Sequence, residues 1–512
     1  MDNFDAPLGR MKSYVEQFNR EDNELYLNHI PNSAAGDWMA RHVPLVDLPD
    51  RELEQVYYFR WWTYRKHIKK TPAGFIISEF LPEVPWAGKY NSISCAAGHH
   101  LAEGRWLRDE AALDAYINYW YRESDNIDSY THWIDSALWD LCELRGDYSL
   151  GVNNLDPMAQ RFREREDRYF HRGTGLFWGS SDRDGQEFAV SGNGFRLPQN
   201  CYMAAKARAI ANFARIAGRA DLEEEFSAKG RALAGAIEKL LWSEGDRFYL
   251  NIHYPRETGP DGVPLKLSAA PPPDPARGDR RFKCRELWGY SPWYFGLAPP
   301  GREGAFDLLA DPGCFYGLYG LSTADRGHPG YGCFYTGEEL NAWRRGRDQG
   351  PVGPQGHECL WNGPSWPFAT SFALAALAAS ERPDDGLFYK LLKQYAGSHR
   401  LSPGKADPPF WIDEVQHPDT GDWISRTRLM RWDESGWSKE KGGVERGKDY
   451  NHSTFCNLVI AGLFGLGVSA GALSARPRIP PDWDYAALHH IPFRGKLYTL
   501  RYRGGVELIR ED

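Results

Sequence analysis

The sequence predicts a helix-dominated fold, an α/α toroid in which inner and outer helices circle a central pocket. Helical periodicity recurs in pairs through the middle of the chain, and the pairs are joined alternately by short turns and by long, aromatic-rich loops. Strand-like alternation is scarce until the C-terminal end. The long loops would form the mouth of the pocket. A helical solenoid is the competing architecture, although the chain shows no repeat of fixed period.

The first helical pair is predicted at residues 110–122 and 132–145. In the second segment, Leu138 and Leu141 fall on one apolar face at helical spacing. Because the connecting loop is short, the two helices should lie side by side and antiparallel.

The second pair is predicted at residues 200–217 and 222–242. Gly218 has the residue type that ends many helices, and Asp221 with Glu224 three places later resembles a capping box. The capping pattern therefore predicts that Asp221 precedes the second helix as its N-cap.

The rest of the chain completes a toroid of residues 1–475 with a small β extension at 476–512. Residues 245–300 contain a hairpin-like stretch followed by a Pro-rich run that cannot be helical, and we interpret them as an insertion over one face. The final segment alternates like strands around an RGG turn. Three more helices are predicted, at 368–380, 386–396 and 455–467.

Composition excludes several classes of function. The 512 residues carry a net charge of −8 with a pI near 6.0, and the basic residues are dispersed among acids, so neither nucleic acid nor a membrane is expected as a partner. The N-terminus lacks the basic and apolar regions of a signal peptide, which predicts a cytoplasmic location. Oligomeric state is not indicated.

The cysteines and histidines give no sign of a metal site. The eight cysteines show no CxxC spacing, and no Cys/His pair has ligand spacing. We therefore expect reduced, mostly buried thiols, and neither a metal nor another cofactor.

Aromatic residues form 14% of the chain, and a cluster of them indicates carbohydrate binding. Core packing accounts for many of these rings, but WNGPSWP (Trp361–Pro367) places two indoles in a Gly/Pro loop. Flat rings with polar edges suit the faces of sugars. A small carbohydrate is therefore the expected partner.

Two loops carry acids suited to glycoside hydrolysis, which needs one carboxylic acid to protonate the leaving oxygen and one carboxylate to activate water or attack carbon. WIDEVQHPDTG (Trp411–Gly421) places Glu414 before a turn. A Gly/Ser-rich loop at Gly175–Gly194 supplies Asp182, Asp184 and Glu187. Each loop also has a structural interpretation: Glu414 could cap its turn, and the acidic loop could be a solvated turn or a calcium loop.

Taken together, these motifs resemble glycoside hydrolase family 63 and the related mannosylglycerate hydrolases. WNGPSWP resembles the family's NGPxW segment, and EVQHPDTG (Glu414–Gly421) resembles its E-N-Y-N-P-x-T-G segment. The resemblance implies an (α/α)6 barrel of six helical hairpins that inverts anomeric configuration, with Glu414 as the general base. The sequence departs from the family at Val415, Gln416 and His417.

The family's general acid is an Asp in a loop that resembles WGSSDRD (Trp178–Asp184). An ungapped match places that Asp on Arg183, so a shift of one residue is needed. The resemblance therefore implies Asp184 or Asp182, with Asp184 favoured. The Asn that follows the family's Asp is missing here.

Further segments resemble a sub-branch of the six-hairpin enzymes: Ser78–Asp109, Cys284–Phe295 and Asp449–Leu466. We interpret His452, in the last of them, as structural. The expected substrate-binding residues are Trp86, Lys89, Tyr90, His99, Arg105, Trp178, Glu187, Trp361, Asn362 and Trp366.

The predicted function is an inverting α-glycosidase that hydrolyses a small α-linked oligosaccharide or a glycosylated metabolite. Asp184 or Asp182 would protonate the glycosidic oxygen, and Glu414 would activate water. Two alternatives stay open. One is an α/α-toroid polysaccharide lyase or sugar epimerase that uses His99, His452 or Tyr90, and the other is a non-catalytic carbohydrate-binding toroid.

Overall fold

A computed structural model describes residues 5–253, 281–345, 359–432, 439 and 442–511, and the fold is dominated by helices. Two π-helical turns, Tyr119–Glu123 and Leu458–Leu463, continue helical segments. The α-helices are α1 (Asp5–Glu21), α2 (Asn32–His42), α3 (Arg51–Tyr64), α4 (Ala97–Gly104), α5 (Ala111–Asn118), α6 (Ile134–Arg145), α7 (Ser149–Asn153), α8 (Leu155–Tyr169), α9 (Leu197–Ile216), α10 (Ala220–Leu241), α11 (Ser291–Tyr294), α12 (Gly337–Arg345), α13 (Pro367–Ala379), α14 (Leu387–Gly397) and α15 (Ile424–Trp432).

The second predicted helical pair forms the hairpin of α9 and α10. Gly218 lies in the turn with φ of +69°, a backbone conformation that glycine adopts without steric cost. The capping prediction was wrong. Helix α10 already begins at Ala220, so Asp221 lies inside the first turn, where it forms an ion pair with Arg219 at 3.0 Å. A carboxylate there is still favourable for the helix dipole.

Helix α13 runs through the interior and is apolar around its whole circumference, as expected of a helix buried on all sides. It packs against α11, α14 and the Leu458–Leu463 turn. The ring of Phe372 stacks on Tyr294 with centroids 4.1 Å apart. The predicted helix at 368–380 therefore corresponds to a central element of the core.

The helix that was predicted at 455–467 is shorter than expected, because Leu466 already belongs to a strand. Its start is stabilised from another part of the chain. The buried carboxylate of Glu103, on α4, accepts hydrogen bonds from the main-chain N–H groups of Phe455, Cys456 and Asn457 at 3.0, 2.8 and 2.7 Å. These are donors that a helix cannot satisfy internally.

The C-terminal strands form the largest sheet, in which β1 (Leu45–Asp47) pairs with β12 (Ala486–Phe493), β12 with β13 (Lys496–Tyr502) and β13 with β14 (Val506–Arg510), all antiparallel. Because β1 comes from the N-terminal region, the sheet is tied to the helical body. The boundary at 475/476 stays a prediction. The strands are β1 (Leu45–Asp47), β2 (Ile68–Thr71), β3 (Gly74–Ile77), β4 (Phe170–His171), β5 (Leu176–Phe177), β6 (Gly194–Phe195), β7 (Trp242–Ser243), β8 (Phe248–Tyr249), β9 (Ile252–His253), β10 (Leu466–Ser469), β11 (Ala472–Ala475), β12 (Ala486–Phe493), β13 (Lys496–Tyr502) and β14 (Val506–Arg510).

The segment interpreted as an insertion, 245–300, is described only in part, because residues 254–280 lie outside the described residues. Its first part contributes β8 to a short hairpin with β7. Its last part is core: Trp288 and Trp293 are 3% and 5% exposed. The insertion itself stays a prediction.

All eight cysteines are free, and six of them are buried. Among the described residues, no helix combines the length and the apolar character that crossing a membrane requires. Nor do the described residues contain a group of three or more His, Cys, Asp or Glu side chains that could hold a metal ion.

Candidate active site

A cavity of about 400 Å³ brings together carboxyl groups and aromatic rings from distant parts of the chain. Three of its side chains are acids, and one is an arginine. Its lining residues are Glu79, Phe80, Trp86, Ile93, Cys95, Tyr130, Gly185, Glu187, Cys359, Trp361, Trp366, Phe368, Glu414, Arg446, Tyr450 and His452.

Main-chain hydrogen bonds connect the three motifs that line this cavity. The N–H of Trp361 donates to the carbonyl of Glu187 at 3.1 Å. Ser365 and Gln416 exchange a pair of main-chain bonds at 2.8 and 2.9 Å. The acidic loop, WNGPSWP and the segment after Glu414 therefore form one rigid wall, although they lie far apart in the sequence.

Glu414 is 4% exposed, and each of its carboxylate oxygens has a neighbour that can donate a hydrogen bond. The thiol of Cys359 lies 3.5 Å from Oε1, and Nη2 of Arg446 lies 3.3 Å from Oε2. Two donors therefore hold the Glu414 carboxyl group where it lines the cavity.

Asp413 holds the backbone at Glu414 from outside the cavity. Its Oδ1 accepts hydrogen bonds from the Glu414 N–H and the Ser425 hydroxyl, both at 2.7 Å. Burial raises the pKa of Asp413 to about 6. Gly447 passes so close that a Cβ at this position would collide with Oδ1. Residue 447 must therefore be a glycine, because its segment lies so close to the one that carries Asp413.

Glu187, from the acidic loop, lines the same cavity as Glu414. Burial raises the pKa of Glu187 to about 8, and the neighbouring carboxyl groups of Asp182, Glu414 and Glu79 act in the same direction. The next residue, Phe188, has φ of +63°, an uncommon conformation for a bulky side chain.

Asp182 and Asp184, the two aspartates predicted as the acid, are not among the described residues that line the cavity. Asp184 is buried and forms an ion pair with Arg196 at 2.6 Å, while the Thr131 hydroxyl donates to its other oxygen at 2.7 Å. Asp182 is exposed. The physical reason is the 3-10 turn at Asp182–Asp184, which directs Asp184 into the protein and Asp182 toward solvent.

Arg196 fixes the loop on both sides of Glu187. Its guanidinium donates to Asp184, to Gln186 and to Ser191, the last at 3.1 Å. Neither Arg196 nor Asp184 has any exposed side-chain surface. Asp184 therefore acts on the position of Glu187 through Arg196.

Of the aromatic residues expected at the site, Trp86, Trp361 and Trp366 line the cavity. The rings of Trp361 and Trp366 stack with centroids 4.2 Å apart and an interplanar angle of 12°. The guanidinium carbon of Arg446 lies 5.1 Å from the Trp86 ring centroid. These rings give the cavity the flat apolar faces that carbohydrate sites use.

The other expected binding residues lie elsewhere. Lys89 is exposed and pairs with Glu123 at 3.7 Å, and its neighbour Tyr90 is half-buried. Arg105 bonds to Asn457 at 2.9 Å on another face. Six predicted binding residues are not among the described residues that line the cavity: Lys89, Tyr90, His99, Arg105, Trp178 and Asn362.

The remaining three of these residues belong to the interior or to another cavity. His99 packs edge-on against Phe368 with centroids 4.4 Å apart, and burial lowers its pKa well below the usual value. Trp178 is completely buried. Asn362 lines a neighbouring cavity of about 380 Å³ and donates to the carbonyl of Gly330 at 3.1 Å.

Glu79, Arg446 and Tyr450 line the cavity but were not among the predicted site residues. Glu79 and Tyr450 lie in Ser78–Asp109 and Asp449–Leu466, which resemble six-hairpin enzymes, but the resemblance of a whole segment does not indicate which of its side chains reach the pocket. His452, interpreted as structural, also lines the cavity; burial lowers its pKa well below the usual value.

Comparison with known proteins places this site in a family. Residues 89–453 match the family model described as the mannosylglycerate hydrolase MGH1-like glycoside hydrolase domain. The chain belongs to this family. Residues 89–453 therefore form a glycoside hydrolase domain of this family, and the fold expected from the sequence, an (α/α)6 toroid with a small C-terminal sheet, is confirmed.

Several solved glycosidase structures are also similar to this chain. One named "Sialidase" is 28% identical with a TM-score of 0.81, covering 98% of this chain and 43% of that one. A family 78 rhamnosidase of a Bacillus species has 12% identity and a TM-score of 0.54, covering 91% of this chain and 41% of its own. The family 63 mannosylglycerate hydrolase of Thermus thermophilus, bound to Tris, has 10% identity and a TM-score of 0.50, covering 79% of this chain and 100% of its own.

The chain thus spans less than half the length of the first two of these proteins. At 10–12% identity, the rhamnosidase and the mannosylglycerate hydrolase show the shared fold alone. No curated protein matches the chain significantly.

Proposed function

We propose that this MGH1-like hydrolase is an inverting α-glycosidase of a small oligosaccharide or glycosylated metabolite, with Glu414 as general base and Glu187 as general acid. The main support is the position of these two side chains in one aromatic cavity, in contrasting environments. Arg446 lies beside Glu414, whereas Glu187 has burial and neighbouring carboxyl groups that keep it protonated. Such a divergence supports this choice of acid and base.

In the proposed reaction, the carboxylic acid of Glu187 gives its proton to the glycosidic oxygen as the bond from that oxygen to the anomeric carbon breaks. Glu414 removes a proton from a water molecule, whose oxygen forms the new bond to the anomeric carbon from the opposite face. Glu187 ends as a carboxylate and Glu414 as a carboxylic acid. Proton exchange with solvent restores both.

Asp184 and Asp182 were the acids that the motif resemblance favoured. Glu187 replaces them here because it lines the cavity, while Asp184 is engaged by Arg196 and Asp182 is exposed. Inversion is supported by the resemblance of EVQHPDTG to the family 63 motif. A small substrate is supported by the cavity volume of about 400 Å³.

The lyase or epimerase alternative receives little support from the geometry. Of the three residues that it would use, only His452 lines the described wall of the cavity, while His99 and Tyr90 do not. The non-catalytic alternative does not account for the matching glycoside hydrolase family.

Nuclear magnetic resonance of the first product tests this function. The protein is incubated with α-glucosides, α-mannosides and α-rhamnosides, and the anomer released from the best substrate is followed. We expect the β-anomer first. Initial release of the α-anomer would show retention and contradict the proposal.

Two variants test the roles of the carboxyl groups. Glu187→Gln and Glu414→Gln should each lower kcat by about 100-fold or more. With the corresponding glycosyl fluoride, whose leaving group needs no proton, Glu187→Gln should retain activity and Glu414→Gln should not. Asp182→Asn is the control for a loop carboxyl outside the cavity. Full oligosaccharide activity in Glu187→Gln would rule out this acid.

A further inference from the structure

One wall of the cavity is built by the segment that follows β3. It contributes Glu79, Phe80 and Trp86, and Tyr450 packs against it from the far end of the chain, with the Phe80 and Tyr450 ring centroids 4.7 Å apart. This wall has its own small apolar cluster, separate from the main core. Glu79, Phe80 and Trp86 precede residue 89, where the family match begins.

Hydrogen bonds hold this wall in place. The side chain of Asn91 donates to the carbonyls of Phe80 and Pro82 at 3.2 and 2.8 Å, and it accepts from the N–H of Val84 at 3.0 Å. The N–H of Asn451 donates to the carbonyl of Glu79 at 3.1 Å. The backbone that carries Glu79 is therefore fixed before a ligand binds.

Glu79 is 4% exposed, and both of its oxygens have donors on the protein side. The Tyr450 hydroxyl donates to Oε1, and the Cys95 thiol lies 3.6 Å from Oε2. These two contacts fix the orientation of the Glu79 carboxyl group. The Glu79 side chain nevertheless lines the cavity. A carboxyl group immobilised in this way suits recognition of a hydroxyl at a defined position.

We propose that Glu79 is a specificity-determining residue that hydrogen-bonds a hydroxyl group of the sugar in this cavity and takes no part in proton transfer. This role rests on the proposed function only in placing the sugar in the same cavity as Glu187 and Glu414. Burial raises the pKa of Glu79 to about 8, so that at neutral pH it is protonated. It can then donate as well as accept without adding a further negative charge beside Glu414.

Titration calorimetry tests the binding role without requiring turnover. D-glucose, D-mannose and L-rhamnose are the probes, and the one that binds the wild-type protein most tightly is titrated into the variants. Glu79→Ala should weaken binding by about tenfold or more, because it leaves both the sugar hydroxyl and Tyr450 without their partner. Glu79→Gln, which keeps one donor and one acceptor, should bind within about threefold of wild type.

Glu83→Gln is the matched control, since Glu83 is exposed on the same segment. Thermal unfolding of each variant checks that it is folded. Monodeoxy analogues of the bound sugar identify the hydroxyl: for one of them, wild type and Glu79→Ala should bind equally. Equal binding of the parent sugar by wild type and Glu79→Ala, or no binding of any of the three probes, would overturn the proposal.

Kinetics distinguish specificity from proton transfer. Glu79→Ala should raise KM for oligosaccharide and fluoride substrates alike, because both carry the hydroxyl that Glu79 recognises. If Glu79→Gln instead lost the oligosaccharide activity and kept that on the fluoride, Glu79 would be the acid and this inference would be wrong. Absence of all hydrolysis would reject the proposed function, while the calorimetry would still decide whether Glu79 binds the sugar.

Discussion

Glu187 illustrates how a carboxyl group acquires its properties from its surroundings. Its side chain lines a cavity that also contains Glu79 and Glu414, and burial is the largest cause of its raised pKa. Glu414 differs because Arg446 and Cys359 approach its oxygens. Two residues of the same type are thereby suited to opposite roles.

The pH dependence of catalysis follows from Glu187. A general acid is active when protonated, so kcat/KM for an oligosaccharide should fall as pH rises through about 8, the pKa of Glu187. Steady-state kinetics between about pH 5 and 10 measure this limb. The glycosyl fluoride is the control, since it needs no proton donor. The same alkaline limb with the fluoride would assign the titration to another group.

Asp184 and Asp182 provide a matched pair of substitutions in one turn. Asp184→Asn leaves the buried charge of Arg196 without its ion-pair partner, so we expect a loss of about 3 kcal/mol in the free energy of unfolding and a lower kcat. Asp182→Asn should change stability by no more than about 0.5 kcal/mol, because its side chain is exposed. Urea unfolding measures both.

Stability and kinetics together separate positioning by Asp184 from direct catalysis. If Asp184 positions Glu187 through Arg196, Asp184→Asn should lower the oligosaccharide activity and the free energy of unfolding together, and it should spare the activity on the fluoride, which needs no acid. Selective loss on the oligosaccharide, with stability unchanged, would show that Asp184 itself donates the proton.

At the scale of elements, the active-site wall depends on interactions between segments rather than on any one of them. Glu103, on α4, satisfies three N–H groups at the start of the turn that leads into Leu458–Leu463. Tyr450 and His452, which line the cavity, lie just before this start. Helix α4 therefore helps to hold Tyr450 and His452 in position, although none of its own residues is among the described residues that line the cavity.

Substitution of Glu103 tests this arrangement. In Glu103→Gln one oxygen is replaced by an amide that faces main-chain donors, and we expect a loss of about 3 kcal/mol in the free energy of unfolding. Chemical denaturation measures the change. Glu224→Gln, at an exposed position of α10, is the control. Equal stability of the two variants would contradict the role of Glu103.

The helical elements were largely predictable, and their ends were not. Periodicity located α6, α9, α10, α13 and α14 because each buries one or more faces at helical spacing. The start of α10 was missed because Asp221 can satisfy its side chain with Arg219 instead of capping. The end of the helix predicted at 455–467 was missed because β10 takes over Leu466. Both competing interactions lie outside the periodic pattern.

Across the whole molecule, the buried acids couple the site to stability. Burial raises the pKa of Glu79 to about 8, whereas an exposed Glu titrates near 4.5. The folded protein therefore holds a proton that the unfolded chain releases between these values. The stability that Glu79 contributes is fully present below about pH 4.5 and is lost as pH rises through about 8.

Glu79→Gln should remove this dependence, because an amide does not titrate. Urea unfolding at about pH 5 and about pH 8 should show a smaller difference in the variant than in wild type, by up to about 1.4 kcal/mol per pH unit. Glu83→Gln should behave like wild type. An unchanged difference in Glu79→Gln would mean that Glu79 titrates normally in the folded protein.

The sequence by itself determined the helical toroid, the glycoside hydrolase family and a wall of tryptophans beside Glu414. Those conclusions depend on local periodicity and on short contiguous motifs, which a linear chain displays directly. The role of Glu414 as the base stays a prediction.

Only the tertiary structure decided which acids face that wall. A 3-10 turn directs Asp182 and Asp184 away from the cavity, while Glu187, a few residues later, lines it. Glu79 and Tyr450 meet there from opposite ends of the chain. Side-chain direction in an irregular loop depends on hydrogen bonds with remote segments, such as that between Trp361 and Glu187. No spacing in the sequence encodes such contacts.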